Sequence, residues 1–155
     1  MALGMAGLSL TACGGRDSAP DFSYTLLDGA KASTRALRGK VLLVNFWATS
    51  CLSCVKEMPE LVATHRRYNG RGLETLAVAM SYDPPANVSH FAQSRQLPFG
   101  VVIDNTGAIA KAFSDVRVTP TTYLIDKRGA IVKRYVGEPD FEALHALVEK
   151  LLAEA

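Results

Sequence analysis

Two cysteines separated by two residues, Cys51 and Cys54, stand where an apolar run, Val41 to Trp47, gives way to a helical pattern. At such a junction the first sulfur meets unpaired backbone N–H groups and the positive end of the helix dipole, and both favour a thiolate. The thiolate is the nucleophile of disulfide exchange, and pairs of this spacing lower the cysteine pKa from about 8.5 to roughly 3.5–7.5. Cys51 is the expected attacking sulfur. Cys54 is the expected resolving thiol, close enough to form an intramolecular disulfide and release a mixed one. Glu57 falls three residues after Cys54 on the same helical face, where a carboxylate would raise the thiol's pKa or shuttle its proton. The alternative for Glu57 is a solvated first-turn glutamate supporting the helix dipole.

The elements that must position these groups follow from hydrophobic periodicity. Val41 to Trp47 is nearly unbroken in its apolar character, which suits a central strand covered on both faces. After Cys54, Val55, Met58, Leu61, Val62 and His65 recur at helical spacing, and Pro59 inside that helix is expected to kink it. Phe22 to Leu27 reads as a short strand with a turn at Asp28-Gly29, and Leu73 to Met80 as a further strand. Asp83-Pro84-Pro85 opens a short helix, Phe99 to Ile103 forms a strand, and Ile109 to Phe113 a helical patch. Thr121 to Ile125 and Ala130 to Val136 make an antiparallel hairpin through Asp126 to Gly129. A final helix opens at Pro139-Asp140 and carries the stripe Phe141, Leu144, Leu147, Val148, Leu151 and Leu152.

A chain of 155 residues, 48% hydrophobic, suits one compact domain with its own core. The formal charge is only +2, with 17 Lys and Arg against 15 Asp and Glu, and no basic run, so nucleic acid is not an expected partner. Three cysteines are too few for a disulfide-stapled scaffold. His65, His90 and His145 sit at distant helical positions, and each reads as a packing or surface residue before a ligand.

Residues 2–12 are uncharged and mostly small or apolar, too short to cross a bilayer, and run into Cys13. They read as the apolar part of a secretory signal over residues 1–12, shortened at its start because no Lys or Arg precedes Cys13. Leu10-Thr11-Ala12-Cys13 looks like a bacterial lipobox, which implies cleavage before Cys13 and a lipid on it. Residues 13–20 are then the lipidated cysteine and a flexible tether, and 21–155 the domain.

Two segments carry a wider resemblance. Val41 to Thr49, the Cys51-Leu52-Ser53-Cys54 motif, Glu57 and Pro59 closely resemble TlpA/ResA-like thioredoxins, and Val118 to Asp126 matches their second signature. The resemblance covers about residues 21–155. It implies a thioredoxin fold of α/β class: a central mixed sheet flanked by helices, an N-terminal strand addition and an inserted helix-strand-helix. Pro120 resembles the family's cis-proline, with Thr119 facing the sulfurs and the loop holding the substrate chain. Trp47 is expected to serve core and rim together. Asn45 stands where many thioredoxins carry a buried aspartate, which leaves Glu57 as the acid near the pair. Ser50 and Ser53 replace the Trp and Pro often found in the family, and serine at 53 keeps a backbone N–H that proline lacks.

The implied activity is thiol-disulfide exchange with exported cysteine-containing proteins, an apocytochrome c among the candidates, and a reductase direction. No cofactor or resident metal is expected beyond the Cys51/Cys54 pair. A membrane thiol transporter is the implied electron donor, the lipid on Cys13 the membrane contact, the periplasmic side of a bacterial membrane the location, and a monomer the working form. Three rivals stand against this. Two thiolates suit Cu(I), although a closed zinc site would need further ligands. A thiol peroxidase would resemble Pro-x-x-x-Thr-x-x-Cys, but Ala48 and Val44 precede Cys51 at those places, and Cys51 and Trp47 precede Cys54. A binding domain with a permanent disulfide is the third.

Overall fold

The computed structural model describes residues 15–155; the expected signal and Cys13 lie outside the described residues. The spine is β3, Val41–Trp47, seven residues that are all buried. β-branched and aromatic side chains suit such a doubly covered strand. Parallel β4, Leu73–Ala79, lies on one side of it, and antiparallel β6, Thr121–Ile125, on the other. β5, Gly100–Ile103, and β7, Ile131–Val136, complete a five-stranded mixed sheet of order β5-β4-β3-β6-β7.

Alternate residues of β3 feed opposite cores. Leu42, Val44 and Phe46 pack with Phe113 and Tyr123 on one face, beneath α3, Ala108–Ala112. Val41, Leu43 and Trp47 point to the other, covered by α1 (Leu52–Tyr68), α2 (Pro85–Ser94) and α4 (Phe141–Ala153). α2, β5 and α3 form the expected inserted helix-strand-helix between β4 and β6. With helices on both faces of a mixed sheet, this is the expected α/β thioredoxin fold.

Two expectations change. The N-terminal strand addition is instead a separate hairpin of β1, Ser23–Thr25, and β2, Lys31–Ser33. Gly29, at φ +85, lets the chain turn so sharply that Leu26 accepts from Gly29 and donates to Ala30. The hairpin meets the main sheet through the single bridge of Leu26 to Val102. Residues 16–20, expected to belong to the tether, lie along the β6–β7 turn: Arg16 pairs with Asp126 at 3.1 Å, and Ala19 donates to the Gly129 carbonyl at 2.9 Å. α1 carries Pro59 inside its span from Leu52 to Tyr68.

Candidate functional site

The site lies where β3 hands over to α1. Cys51 is the N-cap of the helix, with extended backbone at φ −89 and ψ 105, and its sulfur accepts the Cys54 backbone N–H at 3.2 Å. A sulfur so placed receives an otherwise unpaired helical N–H and the positive end of the dipole, the two effects that stabilise a thiolate. Cys51 and Cys54 are disulfide-bonded with Cα atoms 5.2 Å apart, within the ordinary range for such a bridge. Their exposure differs sharply. Cys51 is half-buried and Cys54 fully buried, while Leu52 between them is 87% exposed. An incoming disulfide therefore meets Cys51, and Cys54 is reached only from inside the molecule.

Ser53 lies beside the attacking sulfur, its hydroxyl 3.5 Å from Cys51 Sγ. The loop ahead of Cys51 is clamped from the loop between β4 and α2: Thr49 donates its backbone N–H and its hydroxyl to the buried Asp83, each at 2.6 Å. Neither residue stood out in the sequence. Asp83 reads there as the opening of a helix before two prolines, and only the fold brings it 34 positions back to Thr49.

Glu57 is 1% exposed, so the solvated reading fails. Its Oε1 accepts from Asn45 Nδ2 at 2.9 Å, while Oε2 has no partner among the described residues. Burial pushes its carboxyl up to about 7; the Asn45 bond partly offsets this and the charge of Glu138 adds to it. An acid that titrates near neutrality exchanges a proton with a thiol at little cost.

The Thr119–Pro120 peptide bond is cis, as the resemblance implied. Pro120 leads directly into β6, where Thr121 pairs with Phe46, so the proline loop sits at the same end of the sheet as the cysteines. Thr119 is half-buried there and Val118 is exposed. Trp47 requires correction. It is wholly buried, packed with Cys54 and Met58 and against Phe91 at 5.2 Å, so it is core and does not line a substrate-facing rim. His65 is buried against Thr75 and His145 bonds Thr64, both packing roles, while His90 is exposed. Among the described residues no cluster of three or more His, Cys, Asp or Glu could hold a metal ion.

The Redoxin family matches residues 16–149, a span that contains the helix-capping disulfide, the cis-proline loop and all five strands of the sheet. The chain belongs to the Redoxin family. Among curated relatives, this redoxin is 36% identical over 133 residues to the thiol-disulfide oxidoreductase ResA of Bacillus cereus, covering 86% of this chain and 76% of that one. A solution structure from Neisseria meningitidis is 40% identical, with TM-score 0.83 and coverage of 90% and 93%. The thiol:disulfide interchange protein of Chlorobium tepidum is 26% identical, also at TM-score 0.83, over 92% of this chain and all of that one. This redoxin is a thiol-disulfide oxidoreductase, and its partners carry thiols or disulfides.

Proposed function

We propose that the protein is a lipid-tethered reductase of disulfides in exported proteins, working on the periplasmic side of a bacterial membrane. The observation that carries the chemistry is the unequal exposure of the pair, with Cys51 reachable and Cys54 sealed in the interior, three residues before the buried Glu57 on α1. In the reduced protein the Cys51 thiolate attacks a partner disulfide, forming a Cys51–partner bond and expelling one partner thiolate. Cys54 then gives its proton to the Glu57 carboxylate and attacks the Cys51 sulfur. The Cys51–Cys54 bond forms, the Cys51–partner bond breaks, and the second partner thiolate leaves. Two electrons pass from the dithiol to the partner, and the partner thiolates take up protons from Glu57 and water. Thr119 and Pro120 hold the partner chain against Cys51 in this reading.

Direction and location rest on the resemblance to ResA-like proteins and on the Cys13 motif. Support for tethering comes from the route of the chain. Residues 16–20 lie along the turn after β6, level with the start of β3, whereas Cys51 follows its end. A seven-residue strand separates them, roughly 20 Å, so the described chain begins at the end of the sheet opposite the disulfide. An oxidising compartment demands a continuous electron supply, which a membrane thiol transporter provides, and apocytochrome c is one suitable acceptor class.

The test is to label intact cells with a membrane-impermeant maleimide, then fractionate them. Labelling of reduced Cys51 in a membrane-bound, detergent-extracted protein is expected, with the buried Cys54 reacting only once the protein is denatured. A cytosolic protein, or one found fully oxidised in cells, would contradict the proposal.

A further inference from the structure

We infer that Asn45, locked in place by Thr122, is the positioning residue that fixes which oxygen of Glu57 carries the proton exchanged with Cys54. The inference rests on the proposed role of Glu57 as proton acceptor. Asn45 interrupts the apolar run of β3 and is wholly buried, a place where an amide lowers stability unless it is bonded. Its Nδ2 carries two hydrogens, and both are engaged: one reaches Glu57 Oε1 at 2.9 Å, the other Thr122 Oγ1 at 2.9 Å. Asn45 and Thr122 are also direct cross-strand partners in the β3–β6 register. The amide is thus held from two elements, with its donor edge turned to the carboxylate.

That arrangement makes the two oxygens of Glu57 unequal. Oε1 is occupied by an N–H donor, and a proton placed on it would face that donor. Oε2 is buried and without a partner among the described residues, so it is the oxygen free to receive a proton. When Cys54 is deprotonated, its S–H bond breaks and an O–H bond forms at Oε2. The proton returns from there to the departing partner thiolate, and Asn45 itself exchanges nothing.

The groups that bear on Glu57 are few. On α1 Lys56 precedes it in sequence; from the segment ahead of α4 comes the charge of Glu138, which lies 4.0 Å from Lys56. β3 and β6 present only the uncharged Asn45 and Thr122.

Removing the donor takes stabilisation from the carboxylate anion, so proton affinity rises. The experiment follows the Glu57 carboxyl by carbon-13 NMR in the reduced full chain, with the pH profile of disulfide reduction alongside. Asn45→Ala should move the Glu57 midpoint upward by roughly one pH unit, a tenfold gain in proton affinity, and the acidic limb of the profile with it. Thr122→Val, which keeps the side chain's shape should Asn45→Ala fail to fold, should shift both in the same direction by less, and Thr122→Ser should restore them. If Glu57→Gln flattens the limb while Asn45→Ala and Thr122→Val leave midpoint and profile in place, Asn45 has no such role and the Glu57 reading survives. If Glu57→Gln leaves the profile unchanged, the underlying reading fails and the inference falls with it.

Discussion

Asp83 grips Thr49 through both carboxylate oxygens, Oδ2 accepting the backbone N–H and Oδ1 the hydroxyl, each at 2.6 Å. The contact ties the loop between β4 and α2 to the loop that delivers Cys51. Hydrogen bonds to a charged, buried acceptor are worth about 1.5–3 kcal/mol, and their loss orphans the Thr49 donors. Asp83→Ala should lower stability by about that amount in urea denaturation and slow exchange through a loosened Cys51 loop. Unchanged stability would show that the clamp holds nothing.

The unequal exposure of the two sulfurs predicts distinct trapping behaviour. Cys54→Ser should accumulate a covalent Cys51–partner disulfide that resists resolution, visible by mass spectrometry as an adduct removed by reductant. Cys51→Ser should trap nothing and lose exchange activity. Equal trapping by both variants would contradict the assignment of Cys51 as the attacking sulfur.

The raised Glu57 carboxyl links stability to pH. Its folded pKa of about 7 exceeds the ordinary 4.5, so the folded state holds the proton more tightly. The stabilisation from the neutral form is complete below about pH 4.5 and is lost as pH rises through about 7. Glu57→Gln should therefore be the more stable protein above pH 7, by on the order of 2 kcal/mol, with the advantage shrinking as pH falls. Thermal unfolding at pH 5 and pH 8 measures it; a variant no more stable at pH 8 than at pH 5, relative to the unaltered chain, would contradict the buried charge.

Gly129 offers a purely structural prediction. It has φ +84, and a Cβ there would land on the Arg38 guanidinium, whose Nη1 donates to the Arg128 carbonyl. Gly129→Ala should cost about 1–2 kcal/mol. It should also loosen residues 16–20, since Ala19 donates to the Gly129 carbonyl, and faster hydrogen exchange at Ala19 would report it.

Much of this was legible because periodicity and burial agree. Val41 to Trp47 announces a doubly covered strand, and the stripe from Phe141 to Leu152 announces α4, whose Asp140 cap accepts from Ala143 at 3.1 Å. The cysteine pair points to its chemistry through its spacing and its place where the apolar run of β3 gives way to a helical pattern. Other features needed contacts distant in sequence. Trp47 alternates onto the α1 face, and whether that face is core or rim depends on Phe91, 44 positions away. The hairpin of β1 and β2 looks like an added strand until the turn at Gly29 folds it back on itself. Pro120 reads from its residue type as a strand-start proline; only the family resemblance pointed to the cis bond. The partner of the helical Glu57 is likewise non-local, Asn45 on β3, which Thr122 on β6 holds in turn.

Whether Cys51 and Cys54 deliver electrons to their partners is governed by the reduction potential of the pair. Equilibration of the protein with thiol redox buffers, read by alkylation, should give a value toward the thioredoxin end of the scale, near about −270 mV. A value near about −120 mV would reverse the proposed flow of electrons. A pair that forms no reversible disulfide at all would rule out exchange through Cys51 and Cys54.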